Sequence, residues 1–324
     1  MRLFLALRAL IFVSQYTRPR LTAILNLSMK KEIRLRLLSR NNIIVTLSRR
    51  NLLYVMSLLR FEQHGVLSIL EITDVTACIL LSNGMIAKIP LLRFTLNLLR
   101  LVENHRIEVV SVEDRCATVR VKEFNFSLYG PIDLLSAAVY DMFSDFYYYE
   151  IDVAGKVVVD IGGFIGDTAL YFASRGAKAV YVFEPSSELV KYARRNVAQS
   201  ENIFLNDYGL GSEDKTDFFF GYFGYSAGEE IRIREISSVL AEILKREGKI
   251  DLLKVDCEGC EWELLTCIER PLFDVVSAVY VEIHGGDHNA LLSRLENFGF
   301  RLKKSKQIPL SKSVSMYLLD RLSA

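Results

Sequence analysis

The stretch of sequence that decides the fold is Lys156-Val-Val-Val-Asp-Ile-Gly-Gly-Phe-Ile-Gly-Asp167. Its apolar run Val157–Ile161 does not alternate with polar residues, which is typical of a strand buried on both faces of a parallel sheet. Gly162, Gly163 and Gly166 allow a tight turn in which the backbone can approach a ligand at a helix N-terminus. The stretch therefore predicts a strand, a ligand-binding turn and a helix, in that order.

The same alternation of strands and helices continues downstream. Further strands are predicted over residues 179–183, 202–205, 250–255 and 277–283, and helices over residues 167–175, 187–198, 261–267 and 290–298. Such alternation indicates an α/β fold with a doubly wound, mostly parallel sheet. Residues 300–303 and 314–319 are predicted to close this sheet as an antiparallel pair.

Composition and charge suggest how the chain is divided. Its 324 residues allow about two domains, and a hydrophobic content of 51% excludes global disorder. Residues 1–60 carry 12 Lys and Arg against one acid, Glu32, although the whole chain has a net charge of only +1. We therefore predict a basic, leucine-rich extension (1–60), a small α+β lead-in region with hairpins (61–148) and an α/β domain (149–324).

The basic extension has several interpretations. A basic amphipathic helix beginning near Met29 would bind an anionic membrane surface, and a nucleic-acid-binding arm is an alternative. It could also pack on the body, or be an upstream stretch read in error before a start at Met29 or Met56. No stretch reaches the roughly 18 to 20 apolar residues of a membrane-spanning helix. We expect a cytoplasmic protein, peripheral to the inner membrane face, with no specific nucleic-acid partner.

The lead-in region is predicted to contain hairpins and one helix. Strands over residues 75–81 and 85–89 flank Asn83-Gly84, a strong signal for a tight turn. A second strand pair is predicted within residues 116–128, and a helix over residues 132–143. We find no internal repeat in the sequence.

Cysteine content indicates a reducing compartment and no metal centre. The five cysteines are too few and too scattered for a disulfide scaffold. Cys257-x-x-Cys260 has the spacing of a redox or metal pair. However, no second pair completes a four-ligand zinc site, so we predict no bound metal.

Acidic residues follow several predicted strands, at the edge where ligands of such sheets bind. Asp160, in the glycine-rich turn, would repel the pyrophosphate of a dinucleotide. The ammonium and sulfonium groups of S-adenosylmethionine would instead be attracted. Glu184 ends the second strand, 24 residues after Asp160, close to the offset at which an acid binds ribose hydroxyls. The alternative for Glu184 is a solvated acid at a helix start.

Three motifs resemble those of the FkbM-type methyltransferases, which are class I, Rossmann-like, S-adenosylmethionine-dependent enzymes. Besides the first stretch, these are Tyr181-Val-Phe-Glu-Pro185 and Leu252-Leu-Lys-Val-Asp-Cys-Glu-Gly-Cys-Glu-Trp-Glu-Leu-Leu265. The resemblance is strongest over residues 149–284. It implies that Asp160, Gly162 and Glu184 bind the cofactor. Adding the neighbouring turn residues and an acid at the expected adenine position, the predicted cofactor-binding set is Asp160, Gly162, Gly163, Gly166, Asp167, Glu184 and Asp207.

The family's Asp-x-Glu-Gly-x-Glu motif maps onto Asp256, Glu258, Gly259 and Glu261. Small apolar residues are usual in the family where Cys257 and Cys260 stand here, which favours reading both cysteines as buried filling side chains.

The resemblance implies methyl transfer from S-adenosylmethionine, and many family members methylate hydroxyl groups. We therefore predict O-methylation of a sugar, a glycan or a small metabolite. A hydroxyl acceptor has to lose a proton, and the candidate catalytic residues are Asp256, Glu258, Glu261 and His284, with no single base assigned. The alternatives are a nucleotide-linked oxidoreductase on a similar fold and a non-catalytic, methyltransferase-like binding module. The sequence identifies neither the acceptor nor the oligomeric state.

Overall fold

The computed structural model describes residues 32–36, 44–48, 51–73, 75–91, 93–143, 151–219, 228–307 and 314–321. The chain forms two compact units. One comprises residues 1–123 and 127–140, and the other comprises residues 124–126 and 141–324. No helix in the described part combines the length and the apolar character that crossing a membrane requires.

The first described residues of the basic extension form a pair of antiparallel strands, β1 (Glu32–Arg36) and β2 (Ile44–Ser48). The helix expected to begin near Met29 is therefore wrong over these residues. Ile33 and Leu35 alternate with charged residues, and this period of two favours a strand over a helix. Residues 51–60 of the extension belong mainly to the helix that begins the next region, and its remaining residues lie outside the described ones.

The lead-in region repeats one arrangement, a helix followed by a three-stranded sheet. In chain order its elements are α1 (Leu52–Gln63), β3 (Leu67–Ile72), β4 (Thr76–Leu81), β5 (Ile86–Pro90), α2 (Arg93–Glu103), β6 (Ile107–Glu113), β7 (Cys116–Val121) and β8 (Phe126–Pro131). The predicted hairpin and the predicted helix are both present, the latter as α3 (Ile132–Phe143).

The two copies match each other at an offset of 40 residues. The register of β3 on β4 shifts between Ile69 and Glu71, and that of β6 on β7 shifts between Val109 and Ser111. The expectation of no internal repeat is thus wrong. The repeat is visible in the backbone because the order of elements and a β-bulge recur, whereas most side chains differ between the copies.

The second unit is built on a seven-stranded sheet. The strands of this unit, three of which form a smaller separate sheet, are in chain order β9 (Val157–Ile161), β10 (Ala179–Phe183), β11 (Ile203–Asn206), β12 (Gly209–Gly211), β13 (Lys215–Phe219), β14 (Glu229–Glu235), β15 (Ile250–Val255), β16 (Val276–His284), β17 (Phe300–Gln307) and β18 (Val314–Arg321). Its helices are α4 (Asp167–Ser174), α5 (Ser187–Val197), α6 (Ile236–Glu247), α7 (Glu261–Cys267), α8 (Arg270–Phe273) and α9 (His288–Asn297).

The order of strands in the large sheet is β11-β10-β9-β15-β16-β18-β17. The first five are parallel, and β18 runs antiparallel to both β16 and β17. This confirms the predicted doubly wound α/β fold with an antiparallel C-terminal pair. The chain proceeds outward from β9 in one direction and later from β15 in the other, so the ligand-binding crevice is expected where these two strands end.

The sequence analysis predicted the central strands of the large sheet and missed the smaller sheet. Every residue of β9, β10 and β15 is buried, including the charged residues Asp160, Asp251 and Lys254, and their mainly apolar sequences indicate strands covered on both faces. The smaller sheet of β12, β14 and β13, and the helix α6 that follows it, were not predicted. β13 is a largely exposed strand without an apolar face, so it lacks the periodicity on which such predictions depend.

The glycine-rich turn after β9 is pressed against the end of β15. Gly162 has φ +83°, and a Cβ at this position would lie 1.7 Å from the carbonyl oxygen of Asp256. The Gly162 N–H also donates a hydrogen bond to the carbonyl of Phe183, at 3.0 Å. This glycine therefore allows the ends of three neighbouring strands to meet.

Replacing Gly162 by alanine should destabilise the fold strongly, since the methyl group would collide with backbone that cannot move freely. Gly155→Ala is the matched control, because Gly155 has φ +69° but a Cβ there would extend into open space, with nothing within 4 Å. We expect the control to cost about 1–2 kcal/mol of backbone strain and Gly162→Ala to cost at least about 2 kcal/mol more. Urea unfolding measures both, and equal costs would contradict the close approach.

Candidate active site

A buried lysine and a buried aspartate face each other across β15 and β9. Lys254 and Asp160 are direct partners in the strand register, and Lys254 Nζ lies 2.8 Å from Asp160 Oδ1. Lys254 Nζ also donates to the carbonyl of Gly162, at 3.1 Å. Burial alone would lower the pKa of Lys254, but the charges of Asp160 and Asp256 raise it above its ordinary value. Lys254 therefore carries a positive charge beneath the turn.

The structure gives Asp160 a different role from the expected one. Its second oxygen, Oδ2, accepts a hydrogen bond from the Thr168 hydroxyl at 2.6 Å, so both oxygens are engaged by protein groups. The Asp160 carboxylate is neutralised by Lys254 and does not by itself discriminate between a cationic and an anionic cofactor. It fixes the turn and the start of α4 instead.

The other two glycines of the turn also lie against protein atoms. A Cβ on Gly163 would come within 2.2 Å of Val182 Cγ1 on β10. Gly166 is the residue immediately before α4. Gly163 thus allows the turn to lie against β10, and Gly166 connects the turn directly to the N-terminus of α4.

Glu184 connects the turn to the beginning of α5. Its Oε2 accepts the N–H of Phe164 at 2.9 Å, and its Oε1 accepts the N–H of Ser186 at 2.9 Å. Burial raises the pKa of Glu184 to about 7 despite the lowering effect of these two hydrogen bonds. Each carboxylate oxygen can accept a further hydrogen bond, so Glu184 can bind a vicinal diol.

The two remaining predicted acids lie in very different environments. Asp167, the first residue of α4, is buried, and its Oδ1 has no hydrogen-bond partner among the described residues. Burial raises the pKa of Asp167 to about 7. The side chain of Asp207 is 62% exposed and lies 3.5 Å from Arg194, which is a surface ion pair.

His284, at the end of β16, is surrounded by carboxylates. Its Nδ1 lies 3.0 Å from Glu261 Oε1, and its Nε2 lies 3.4 Å from Glu258 Oε2 and 3.5 Å from Glu282 Oε1. Of the four predicted catalytic residues, the structure therefore brings Glu258, Glu261 and His284 into direct contact. Asp256 lies close by, because its nearest oxygen is within 4.8 Å of both His284 and Glu282.

Glu261 organises the loop between β15 and α7. Its side chain is fully buried, and Oε1 accepts the N–H groups of Cys257 and Gly259 at 3.1 and 3.0 Å. Glu258, in the middle of the loop, has φ +58° and a half-exposed side chain. The loop thus buries the carboxylate of Glu261 and leaves that of Glu258 partly exposed to solvent.

The contacts of this cluster change the proton affinity of its members. Burial would lower the pKa of His284, but the hydrogen bond with Glu261 and the charge of Glu258 raise it to about 9. Burial and the charge of Asp256 raise the pKa of Glu282 to about 9. The cluster therefore stabilises positive charge at its centre.

A polar cavity of about 570 Å³ is lined in part by the residues that directly follow His284 in the chain. Its lining includes Gly285, His288, Lys306, Ser315 and Tyr317. His288 Nδ1 and the Tyr317 hydroxyl are 2.9 Å apart. A volume of this size is typical of sites for small organic molecules.

Cys257 and Cys260 form a disulfide, with their Cα atoms 5.6 Å apart. The prediction that both are simple filling side chains is therefore wrong. The tight turn of the loop brings the two residues into bonding range, which agrees with the spacing of a redox pair rather than with the family resemblance. The disulfide encloses Glu258, so it restricts the loop that carries this carboxylate.

A comparison with known families matches part of this unit. The family model of the methyltransferase FkbM domain matches residues 160–302, a range that begins at Asp160 and includes Glu184 and the cluster around His284. This part of the chain resembles an FkbM methyltransferase domain and is called the FkbM domain below. The resemblance inferred from the three sequence motifs is thereby confirmed.

Among curated proteins, the chain is 24% identical to the AMB antimetabolite synthetase AmbE of Pseudomonas aeruginosa over 201 residues. The match covers 45% of this chain and about a tenth of that much longer protein. A solved magnesium protoporphyrin IX methyltransferase of Synechocystis PCC 6803 is 14% identical, with a TM-score of 0.37 over 59% of this chain and 78% of that one. A ribosomal protein L11 methylase of Lactobacillus delbrueckii is 17% identical, with a TM-score of 0.35 over 60% and 81%.

Sequence reasoning missed two important side chains of the FkbM domain, Lys254 and Glu282. Each is a charged residue inside a mainly apolar strand, and the structure shows both to be buried. A charged side chain in such a run needs a partner, and this signal could have drawn attention to both. Asp141 was also missed. Burial and the charge of Asp167 raise its pKa well above the ordinary value.

The disulfide makes a simple prediction. Three cysteines are free thiols (Cys78, Cys116 and Cys267), so thiol titration of the denatured, unreduced protein should give three thiols per chain. After reduction the number should rise to five. Peptide mapping by mass spectrometry should assign the difference to Cys257 and Cys260, and five thiols before reduction of protein purified without reductant would contradict the pairing.

Proposed function

We propose that the FkbM domain is an S-adenosylmethionine-dependent methyltransferase that methylates a hydroxyl group of a sugar, a glycan or a small polar metabolite. The observation that carries the proposal is the placement of Glu184. Its carboxylate ends β10, is fixed by the N–H groups of Phe164 and Ser186, and lies beside a glycine-rich turn at a helix N-terminus. This is the environment that a ribose and its attached amino-acid portion require.

The charge of the sheet edge supports a cationic cofactor. Carboxylates of Asp167, Glu184 and the cluster around His284 outnumber the basic groups there, and Lys254 is already paired with Asp160. S-adenosylmethionine brings an ammonium and a sulfonium group, whereas the pyrophosphate of a dinucleotide would add negative charge to an acidic region. Asp167 Oδ1, buried without a described partner, is a group that such a cation would satisfy.

The acceptor side of the proposed site is the end of β16. The cavity that begins at Gly285 has His288, Lys306 and Tyr317 in its lining, so it offers hydrogen-bonding groups to a polyhydroxylated molecule. His284 directly precedes Gly285 of this lining in the chain, and the side chains of His284 and Glu258 remain partly exposed. These features support a hydroxyl acceptor over an apolar one.

Positioning is the main contribution of the protein to such a reaction. S-adenosylmethionine, when bound, supplies an electrophilic methyl group. The residues of the cavity would hold an acceptor oxygen in line with that group, and fixed geometry of this kind can account for much of a rate enhancement. The carboxylate and imidazole groups of the cluster provide the environment in which a hydroxyl can lose its proton.

The proposal predicts how binding of S-adenosylhomocysteine depends on Glu184 and on pH. The ionised carboxylate accepts hydrogen bonds from both ribose hydroxyls, and with a pKa of about 7 its ionised fraction falls as the pH is lowered through neutrality. Between pH 8 and pH 6 we expect affinity to decrease by about tenfold from this group alone. Glu184→Gln should weaken binding at pH 8 and remove this component of the pH dependence. Isothermal titration calorimetry measures both effects.

The control is Glu201→Gln, which replaces an exposed acid at the amino end of β11, away from the carboxyl ends of the strands where the proposed site lies. It should bind S-adenosylhomocysteine like the unmodified protein at every pH, and thermal unfolding should show that both variants are folded. Undiminished binding by Glu184→Gln would refute the site. Binding of NAD in place of S-adenosylhomocysteine would instead favour an oxidoreductase.

A further inference from the structure

We propose that the FkbM domain binds a divalent metal cation through Asp256, Glu282 and His284, at the acceptor side of the site. The inference rests on the proposed function for its chemical role, since the cation would bind and activate the acceptor hydroxyl. The cation site itself can be tested without any methyl transfer.

The three side chains converge from adjacent strands. Asp256 directly follows β15, while Glu282 and His284 are two residues apart on β16 and therefore point to the same face of the sheet. The two strands are paired, with Val255 opposite Val281. As a result, one oxygen of each carboxylate and one ring nitrogen of the histidine all lie within 4.8 Å of one another. A single ion could contact all three after small side-chain adjustments.

The orientation of His284 is that of a metal ligand. Its Nδ1 lies 3.0 Å from Glu261 Oε1, and Glu261 is fully buried and held by backbone N–H groups of its own loop. Nε2 is directed toward Glu258 and Glu282. Metal-bound histidines usually donate their second ring N–H to a carboxylate, which fixes the ring and the tautomer. Glu261 would be the positioning residue of this arrangement.

The carboxylates around the three side chains outnumber the basic groups, which favours the binding of a cation. Within the described part of the chain, the ion pairs of Asp256, Glu258, Glu261 and Glu282 involve only His284 and Lys254. Lys254 is 3.9 Å from Asp256 but 2.8 Å from Asp160, so its charge is largely committed to Asp160. In addition, Glu261 Oε2 is buried without a hydrogen-bond partner among the described residues. A divalent ion would balance this excess of carboxylates.

The ligand set indicates which ions fit. Two carboxylates and one imidazole suit divalent ions that accept oxygen and nitrogen ligands, such as Mn²⁺ or Zn²⁺. Three protein ligands leave coordination positions open for oxygen atoms of an acceptor. Coordination lowers the pKa of a bound hydroxyl. Its O–H bond would break and the proton would pass to the half-exposed carboxylate of Glu258. The resulting oxygen anion would form a bond to the methyl carbon of S-adenosylmethionine as the methyl–sulfur bond breaks and S-adenosylhomocysteine leaves.

Mn²⁺ is a suitable probe for the full-length protein after treatment with a chelator. Titration followed by electron paramagnetic resonance should show one bound Mn²⁺ per chain. Electron spin echo envelope modulation should detect coupling to an imidazole nitrogen, and this coupling should disappear in His284→Gln. Asp256→Asn and Glu282→Gln should each weaken Mn²⁺ binding at least tenfold. Glu261→Gln should weaken it by 10- to 100-fold and alter the nitrogen coupling, which a purely structural role would not do.

Glu201→Gln is the matched control, because it removes an exposed carboxylate that precedes β11 and lies outside the cluster. It should bind Mn²⁺ as the unmodified protein does. Absence of Mn²⁺ binding at millimolar concentration, binding without nitrogen coupling in the unmodified protein, or equal affinity in all folded variants would each overturn the proposal. Titration of the same samples with S-adenosylhomocysteine, without metal, reports on the cofactor site separately. Absence of Mn²⁺ binding with retained S-adenosylhomocysteine binding overturns the metal site alone, and the reverse result overturns the cofactor site alone.

Discussion

The ion pair between Lys254 and Asp160 is the constraint on which the rest of the site depends. It joins β15 to β9 at the point where the strand order reverses, and its lysine also binds the carbonyl of Gly162 in the turn. A buried lysine and a buried aspartate are each costly alone, because desolvation opposes their charges. Their pairing makes both tolerable. It also fixes the turn on one side and the acidic loop on the other in a single relative position.

From this pair the sheet edge divides into two halves with different chemistry. On the β9 and β10 side, Glu184 holds the turn through backbone hydrogen bonds and keeps acceptor capacity for a diol. On the β15 and β16 side, carboxylates surround His284, and the lining of a polar cavity begins at the next residue, Gly285. Gly162 brings the halves together, since only a residue without a side chain can lie against the Asp256 carbonyl. The proposed cofactor and acceptor sites are therefore neighbours because of backbone packing.

The sequence predicted the elements that are buried on both faces and the residues that follow them. β9, β10 and β15 have the predicted bounds, and Glu184 and His284 stand where the motifs place them. It did not predict what each side chain contacts. Asp160 was expected to face a cofactor, yet its partner Lys254 is distant along the chain, and only the strand register reveals that they meet. The disulfide, the surface position of Asp207 and the duplicated lead-in region were missed for the same reason, since each depends on three-dimensional placement rather than local pattern.

The most direct test of this account is the stability of the protein when the central ion pair is broken and then replaced. Lys254→Met should reduce the free energy of unfolding by about 3–5 kcal/mol, since it leaves the Asp160 carboxylate buried without its counter-charge. In Asp160→Asn/Lys254→Met both charges are absent, and much of that loss should be recovered. Urea unfolding of the two variants and of the unmodified protein measures the difference. A Lys254→Met variant that loses less than about 1 kcal/mol, or a double variant no more stable than the single one, would contradict the central role of the pair.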